Sequence, residues 1–384
     1  MEYAATKVII NPNVPVKQCG FINQVEPILS VHDDLYLRMA LVKKNNDVLI
    51  YVSLDNIGLP EALFAQFKEV AQKKYGKSTN VLVSCTHTHF GGDPKDFVYA
   101  QQLGIAFKLA LETAHLKEVG EIRFAYRGID YDEVGKSRIS GHTAKVRLET
   151  FSLYAENHRI ATFIIHNVHP TIMHASTPYF SAEYPGALLK LCSISCPGEF
   201  FSFMQGADGD ISTRFTRKEQ SYDEVRRFAS LLHHAIAEMM KKDVELTPLD
   251  FIVDETTIPL EHEFLDPEKR MQGENITARE QETIEYGRIV LQRIKANADQ
   301  LPQTLTITRV RFPGYTQLFA QNELFSEYLE TLPPNKASLI CYSQGLRPYI
   351  AGLRPVRLTY ELFSDTLNLA SKERLYQMLC DLSH

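Results

Sequence analysis

The run Val81-Leu82-Val83-Ser84 is a short apolar stretch rich in β-branched residues, and it leads directly into Cys85-Thr86-His87-Thr88-His89-Phe90-Gly91-Gly92. Such a run reads as a strand buried on both faces, which needs a layer above it and another below. On an extended backbone, side chains two positions apart share a side, so His87 and His89 are expected to face one point. Gly91 and Gly92 let the chain turn there and keep that point open. Strand ends at glycine-rich turns are where α/β proteins carry sites. Two imidazoles on one face suit a metal, most simply zinc. A polar strand end with two solvated histidines is the alternative that this tripeptide leaves open.

Similar runs recur along the chain. Strands are expected over 47–54, 81–84, 121–126, 149–154, 159–166, 200–204, 304–312 and 337–341, with a hairpin about Glu156-Asn157-His158. Helices are expected over 60–74, 96–115, 184–193, 222–240 and 362–382. The alternation predicts an α/β protein of mixed β-sheets layered with helices, in a single domain spanning 1–384. Residues 266–300 differ: they are charged and helical, with no strand beside them. They read as an inserted helical arm, a lid or a contact between copies, or as a solvated surface helix.

Composition narrows the partners. A formal net charge of -6 argues against nucleic acid, which wants a basic stripe. No apolar stretch approaches the ~20 residues of a membrane span, so no integral membrane association is expected. The opening Met1-Glu2-Tyr3-Ala4-Ala5-Thr6-Lys7 has an early acid and no apolar core of a signal peptide. The six cysteines are scattered, and Cys192 and Cys196 lack a second pair to complete a zinc cluster. Reduced thiols in a cytoplasmic chain are expected.

Four more segments place ligand-type residues after apolar runs. In Ile164-Ile165-His166-Asn167-Val168-His169-Pro170-Thr171, Pro170 holds His169 extended, and the odd spacing turns His166 to the other side as a core or supporting histidine. Gln205-Gly206-Ala207-Asp208-Gly209-Asp210-Ile211-Ser212 is a turn offering carboxylates, N–H groups and a hydroxyl, or an ordinary acidic turn. Glu323 follows Leu318-Phe319-Ala320, where a glutamate opening a helix would merely favour the helix dipole. Tyr349 ends the segment from Cys341, where a tyrosine after a turn is ordinarily packing.

Taken together and in order, these segments resemble the neutral/alkaline (non-lysosomal) ceramidases. Ser30-Val31-His32-Asp33-Asp34-Leu35-Tyr36-Leu37-Arg38 resembles that family's G-V-H-D-P-L-Y-A-R, and Val52-Ser53-Leu54-Asp55 its V-S-L-D. Asn80 to His89 resembles N-V-L-V-S-A-T-H-T-H; Asn167-Val168-His169-Pro170-Thr171-Ile172-Met173 resembles A-V-H-P-T-S-M; Gly209-Asp210-Ile211-Ser212 resembles G-D-V-S-P. The resemblance implies a neutral-ceramidase-like catalytic core with zinc held by His87, His169, Glu323 and Tyr349. It implies His89 as acid/base and Tyr360, of Tyr360-Glu361, as the binder of a carbonyl oxygen. Ser212 would be a nucleophile or a supporting residue.

The departures are specific. The family's N-R-S appears as Gly135-Lys136-Ser137-Arg138, so Lys136 takes the arginine's place unless Arg138 swings in. A lysine lacks the bidentate fork of an arginine. Leu346, Gln344, Asn322 and Thr213 also replace family residues. Full ceramidases carry a signal or anchor and a C-terminal β-rich domain, so the chain is expected to be the catalytic core alone. The expected activity is zinc-dependent hydrolysis of an amide bond in a small N-acyl or lipid-like molecule, with metal-bound water as nucleophile. An esterase or lactonase on a soluble substrate, and a non-catalytic metal- or ligand-binding relative, are the alternatives. The metallo-β-lactamase pattern H-x-H-x-D-H is not met, because Gly91 and Gly92 stand where its acid and third histidine would be.

Overall fold

The structure, a computed structural model, describes residues 1–21, 26–139, 143–264, 278–354 and 359–384. Three larger sheets organise it. The first runs β4-β3-β2-β1-β5, built from β1 (Glu2–Ile9), β2 (Tyr36–Lys44), β3 (Asp47–Leu54), β4 (Thr79–Cys85) and β5 (Lys117–Glu118). The second runs β10-β9-β8-β6-β12, built from β6 (Ile122–Asp130), β8 (Arg147–Ala155), β9 (His158–His166), β10 (Phe200–Gln205) and β12 (Thr247–Pro248). The third runs β13-β14-β15-β17, from β13 (Ile252–Pro259), β14 (Thr304–Phe312), β15 (Tyr315–Phe319) and β17 (Ala337–Ile340). Two short pairs complete them: β7 (Lys136–Ser137) with β11 (Ile211–Ser212), and β16 (Asn322–Leu324) with β18 (Arg347–Ile350).

Each larger sheet divides its side chains between an outer core under helices and an inner core common to all three. In β3, Val48, Ile50 and Val52 meet α1 (Glu61–Tyr75) and α2 (Phe97–Thr113), while Leu49 and Tyr51 turn inward. In β9, Ile164 meets α3 (Glu183–Ser195) and α4 (Tyr222–Met240), while Phe163 and Ile165 turn inward. In β15, Leu318 meets α7 (Leu369–Ser383), while Tyr315 and Phe319 turn inward. The inner core is aromatic: Phe151 stacks on Tyr315 at 5.5 Å between centroids, and Tyr51 tilts on Phe163 at 4.7 Å. Fully burying one such side chain contributes roughly 1.5–3 kcal/mol. This is the mixed α/β layering expected from the sequence.

Every sheet of the three also holds one parallel pair: β3 with β4, β9 with β10, and β15 with β17. Their carboxyl ends are stitched together. Ser53 Oγ donates to the Phe203 carbonyl at 2.5 Å, Cys341 N–H to the Gln205 carbonyl at 2.9 Å, and Gln344 N–H to the Val83 carbonyl at 3.1 Å. Ligand-type residues that come after these strands are thereby delivered to one junction.

Two expectations change. The helix expected over 362–382 is two helices, α6 (Tyr360–Ser364) and α7. The break is made by Asp365, whose carboxylate accepts the Ala351 and Leu367 amides, and by Asn368, which caps α7 on the Ser371 amide. Of the 266–300 segment, residues up to 277 lie outside the described residues, and the helix α5 (Ala278–Ala296) occupies most of the remainder. This helix is not merely a solvated surface helix: Ile284 and Leu291 are buried with Leu362 and Phe363 of α6, and Gly287 seats the Phe363 ring.

The glycines give a direct test. A Cβ on Gly209 would stand 2.9 Å from the Leu324 carbonyl oxygen and 3.0 Å from that of Glu323, both backbone atoms. Gly209→Ala is expected to destabilise by roughly 1–3 kcal/mol through overpacking. Gly104, inside α2, has only Leu63 Cδ1 at 3.8 Å from the same position. Gly104→Ala is expected to stabilise by roughly 0.5–1 kcal/mol through helix propensity. Urea unfolding of both variants measures the opposite signs.

Candidate metal centre

Beyond Cys85 the chain stays pinned to the end of β3: Thr86 N–H donates to the Leu54 carbonyl and His87 N–H to that of Asn56, both at 2.9 Å. His87 then takes φ +61°, a left-handed conformation that surrounding structure must hold in place. The two-residue parity of an extended strand is therefore not what brings His87 and His89 together. The bend does so, leaving their Nε2 atoms 3.4 Å apart with the rings at 87°. Phe21 packs edge-on against His89 at 4.7 Å.

The second sheet supplies His169, just past β9. Its Nδ1 donates to the Asp208 carbonyl at 2.9 Å, in the turn after β10, and to the Ile211 carbonyl at 3.1 Å, at the start of β11. His87 Nδ1 donates to the Ile57 carbonyl at 2.8 Å. A carbonyl only accepts, so each Nδ1 carries the proton and each Nε2 presents its lone pair to the centre.

The short β16–β18 pair, which follows the third sheet, supplies the rest. Glu323 does not open a helix; it lies on β16, paired in parallel with β18 so that it stands opposite Tyr349, after a bulge at Asn322. Opposed residues in a ladder project to one face, and the Tyr349 hydroxyl hydrogen-bonds the Glu323 carboxylate. Glu323 Oε1 is 2.7 Å from His169 Nε2 and 3.8 Å from His87 Nε2. His87, His89, His169 and Glu323 are all buried.

Arg138 enters this cluster, and Lys136 does not. Lys136 is exposed on β7, opposite Ser212. The Arg138 N–H donates to the Asp210 carbonyl at 2.7 Å, and its guanidinium turns inward to the Tyr349 hydroxyl at 3.2 Å, Glu361 at 2.9 Å and the Gly209 carbonyl at 2.6 Å. Tyr360 stands edge-on to Tyr349, with centroids 6.4 Å apart. Ser212 is buried, and its Oγ accepts the Arg214 amide at 3.2 Å as the cap of a short turn. His166 lies away from the centre: its Nδ1 donates to the Arg147 carbonyl at 2.6 Å, and its Nε2 has no partner among the described residues.

Burial dominates the electrostatics. It lowers His87 to about 3 and moves His89 and His169 well below the ordinary histidine range, so all three are neutral near pH 7. It raises Glu323 against the pull of His87 and Arg138, and it raises Tyr349 together with the Glu323 charge. It also works against the charge on Arg138, but Glu361, Tyr349 and Glu323 outweigh it and keep the guanidinium protonated.

Two imidazole lone pairs and a carboxylate oxygen thus face one point, with neither imidazole supplying a proton to it. Such groups repel unless a cation lies between, and a cation reverses the local preference for uncharged forms. Among the described residues, Asp208, Glu323 and Glu361 also set three buried carboxyl groups against the Arg138 guanidinium. The group His87, His89 and His169, and the group His169, Asp208 and Glu323, each bring ligand atoms within 4.8 Å of one another and could hold a metal ion.

Asp208, one of the carboxylates offered by the turn after β10, and Tyr342 join the site without an assigned role in the sequence reading. Tyr342 has φ +51°, stacks on His87 at 3.7 Å, and donates its hydroxyl to Asp208. No periodicity marks either residue; only their position after strands ending at the junction could have drawn attention to them.

An α/β protein with a buried donor cluster where three parallel strand pairs end is the class defined so far. No protein-family model matches the chain, and no curated protein matches it. Its structure is similar to a ceramidase complexed with C2, with a TM-score of 0.76 at 13% identity, over 100% of this chain and 74% of that one. It is equally similar to neutral ceramidase from Pseudomonas aeruginosa, with a TM-score of 0.75 at 14% identity, again over 100% and 74% of the two chains. The chain has the fold of these ceramidases.

His166 yields a pH prediction. Burial lowers it to about 4, whereas the unfolded chain binds the proton near ~6.5. The folded state therefore loses stability as pH falls from ~6.5 towards 4, by roughly 3 kcal/mol from this residue. Urea unfolding in chelator at pH 7 and pH 4.5 is expected to show a correspondingly smaller loss for His166→Gln than for the parent chain.

Proposed function

We propose that the chain is a zinc-dependent hydrolase that cleaves the amide bond of an N-acyl amine, working as a single ceramidase-like catalytic unit. The observation that carries this is the Glu323 oxygen set against the tautomer-locked Nε2 atoms of His169 and His87. The ceramidase fold supports the choice of an amide over other carbonyl substrates. His87, His169, Glu323 and Tyr349 would hold zinc, whose mixed nitrogen and oxygen donors suit it. When bound, zinc polarises a carbonyl and makes a water acidic.

The chain's own groups then have distinct tasks. His89, neutral and with Nε2 towards the centre, accepts the attacking water's proton and passes it to the leaving amine. Arg138 and Tyr360 bind the carbonyl oxygen as charge develops on it; the guanidinium is held in place by Glu361. Arg138 thus takes the part that motif spacing assigns to Lys136. Ser212 acts as support, since a serine nucleophile needs an adjacent base and its Oγ instead accepts a backbone amide.

A small, short-chain N-acyl amine is the substrate in this reading. No helix among the described residues is long and apolar enough to cross a membrane. The six free cysteines fit a cytoplasmic setting.

The test pairs metal content with turnover. Purified protein is expected to carry about one zinc and to release amine from short N-acyl amines. His89→Ala should keep the metal and lose roughly 10²–10⁴ in rate, the share of a proton-transfer group. Glu323→Ala should lose metal and rate together. Ester or lactone turnover without amide turnover would favour the esterase reading; metal with no turnover would favour a binding protein. A kcat/KM that climbs steadily to long-chain ceramide in detergent would overturn the short-chain assignment.

A further inference from the structure

The Gly-rich turn after β10 and the turn after β17 do more than close loops. Tyr342 is fully buried, with its ring stacked on His87 at 3.7 Å and an interplanar angle of 21°. Its hydroxyl donates to Asp208 Oδ1. The other oxygen, Oδ2, accepts Gln205 Nε2 at 2.6 Å and stands 3.1 Å from His169 Nδ1. The Asp208 backbone carbonyl accepts that same ring N–H at 2.9 Å. One continuous set of contacts thus runs from the face of His87 through Tyr342 and Asp208 to the outer nitrogen of His169.

We propose that Asp208 and Tyr342 are positioning residues that hold His87 and His169 as a preorganised pair for a divalent metal, with Asp208 also making His169 a stronger donor. This rests on the reading of the Glu323 cluster as a metal site. The Asp208 and Ile211 carbonyls already set the tautomer of His169; a carboxylate beside that N–H raises the ring's basicity, and losing such an outer partner typically weakens metal binding 10–100-fold. Tyr342 adds what a lone carboxylate lacks: it fixes the plane of the other imidazole and, through its hydroxyl, the direction of Asp208. Gln205 secures the carboxylate from the far side, its Nε2 also reaching the Val168 carbonyl at 2.9 Å.

A purely structural role for these two residues would show up as stability alone. Asp208→Asn keeps size and an acceptor for Tyr342 but removes the carboxyl oxygen that stands 3.1 Å from His169 Nδ1. Tyr342→Phe keeps the stack and removes the hydroxyl. Zinc affinity of each full-length variant is measured by competition with a chromophoric chelator, alongside thermal unfolding of the chelated protein. Asp208→Asn is expected to weaken zinc binding roughly 10–100-fold, and Tyr342→Phe to weaken it less, while the chelated forms unfold close to the parent chain. The double variant should be no weaker than Asp208→Asn, because the hydroxyl acts through that carboxylate. Zinc affinity within about twofold of the parent in both variants overturns the inference and leaves the metal site standing. A parent chain that binds no zinc overturns both. If Asp208→Asn does not fold, Tyr342→Phe decides: a several-fold loss of zinc affinity supports the inference, and none overturns it.

Discussion

One carboxylate oxygen of Glu323 faces the lone pairs of two buried imidazoles, and the rest of the molecule is arranged to keep it there. The proton that would relieve this contact is denied from behind, since His87 and His169 each spend their N–H on backbone carbonyls. Burial keeps all three histidines neutral as well, and by raising Glu323 it leaves that carboxyl as the place where a competing proton would sit. Lone pairs gathered without a proton in a poorly solvated place are costly unless a cation joins them. A metal is the reading that turns this cost into a binding site.

The sheets make that gathering possible. Each of the three larger sheets contributes a parallel strand pair, and the pairs end at a common junction tied by backbone hydrogen bonds. From the first come His87 and His89, from the second His169 and Asp208, and beyond the third Glu323, Tyr342 and Tyr349. Residues far apart in sequence are brought within ångströms because the aromatic inner core fixes the three sheets against one another. Helix α5 packs on α6, which carries Tyr360 and Glu361, so the segment that stands apart in sequence is built onto the edge of the site.

Much of this is legible in the sequence, though not always for the right reason. Apolar runs such as 47–54 and 81–84 mark strands buried on both sides, and the helix over 222–240 carries its own periodicity and Ser221 cap. Extended parity predicts the convergence of His87 and His89, yet that convergence arises from a left-handed bend at His87. Glu323 reads as a helix start because three-residue strands leave no pattern; only its parallel partner β18 makes it a strand residue. Motif spacing points to Lys136, yet the side chain that enters the cluster is that of Arg138, because spacing in sequence does not reveal where a short strand stops and the chain turns inward. The break between α6 and α7 depends on Asp365 finding the Ala351 amide, a contact no local pattern encodes.

The most direct measurement is a crystal structure of the purified chain with diffraction recorded on both sides of the zinc absorption edge. A single anomalous peak is expected among His87 Nε2, His169 Nε2, the Glu323 carboxylate and the Tyr349 hydroxyl, at roughly 2.0–2.3 Å from its ligands. A map with no peak there after growth in zinc, or with the metal bound elsewhere and the Glu323–His169 contact closed by a proton, would contradict it.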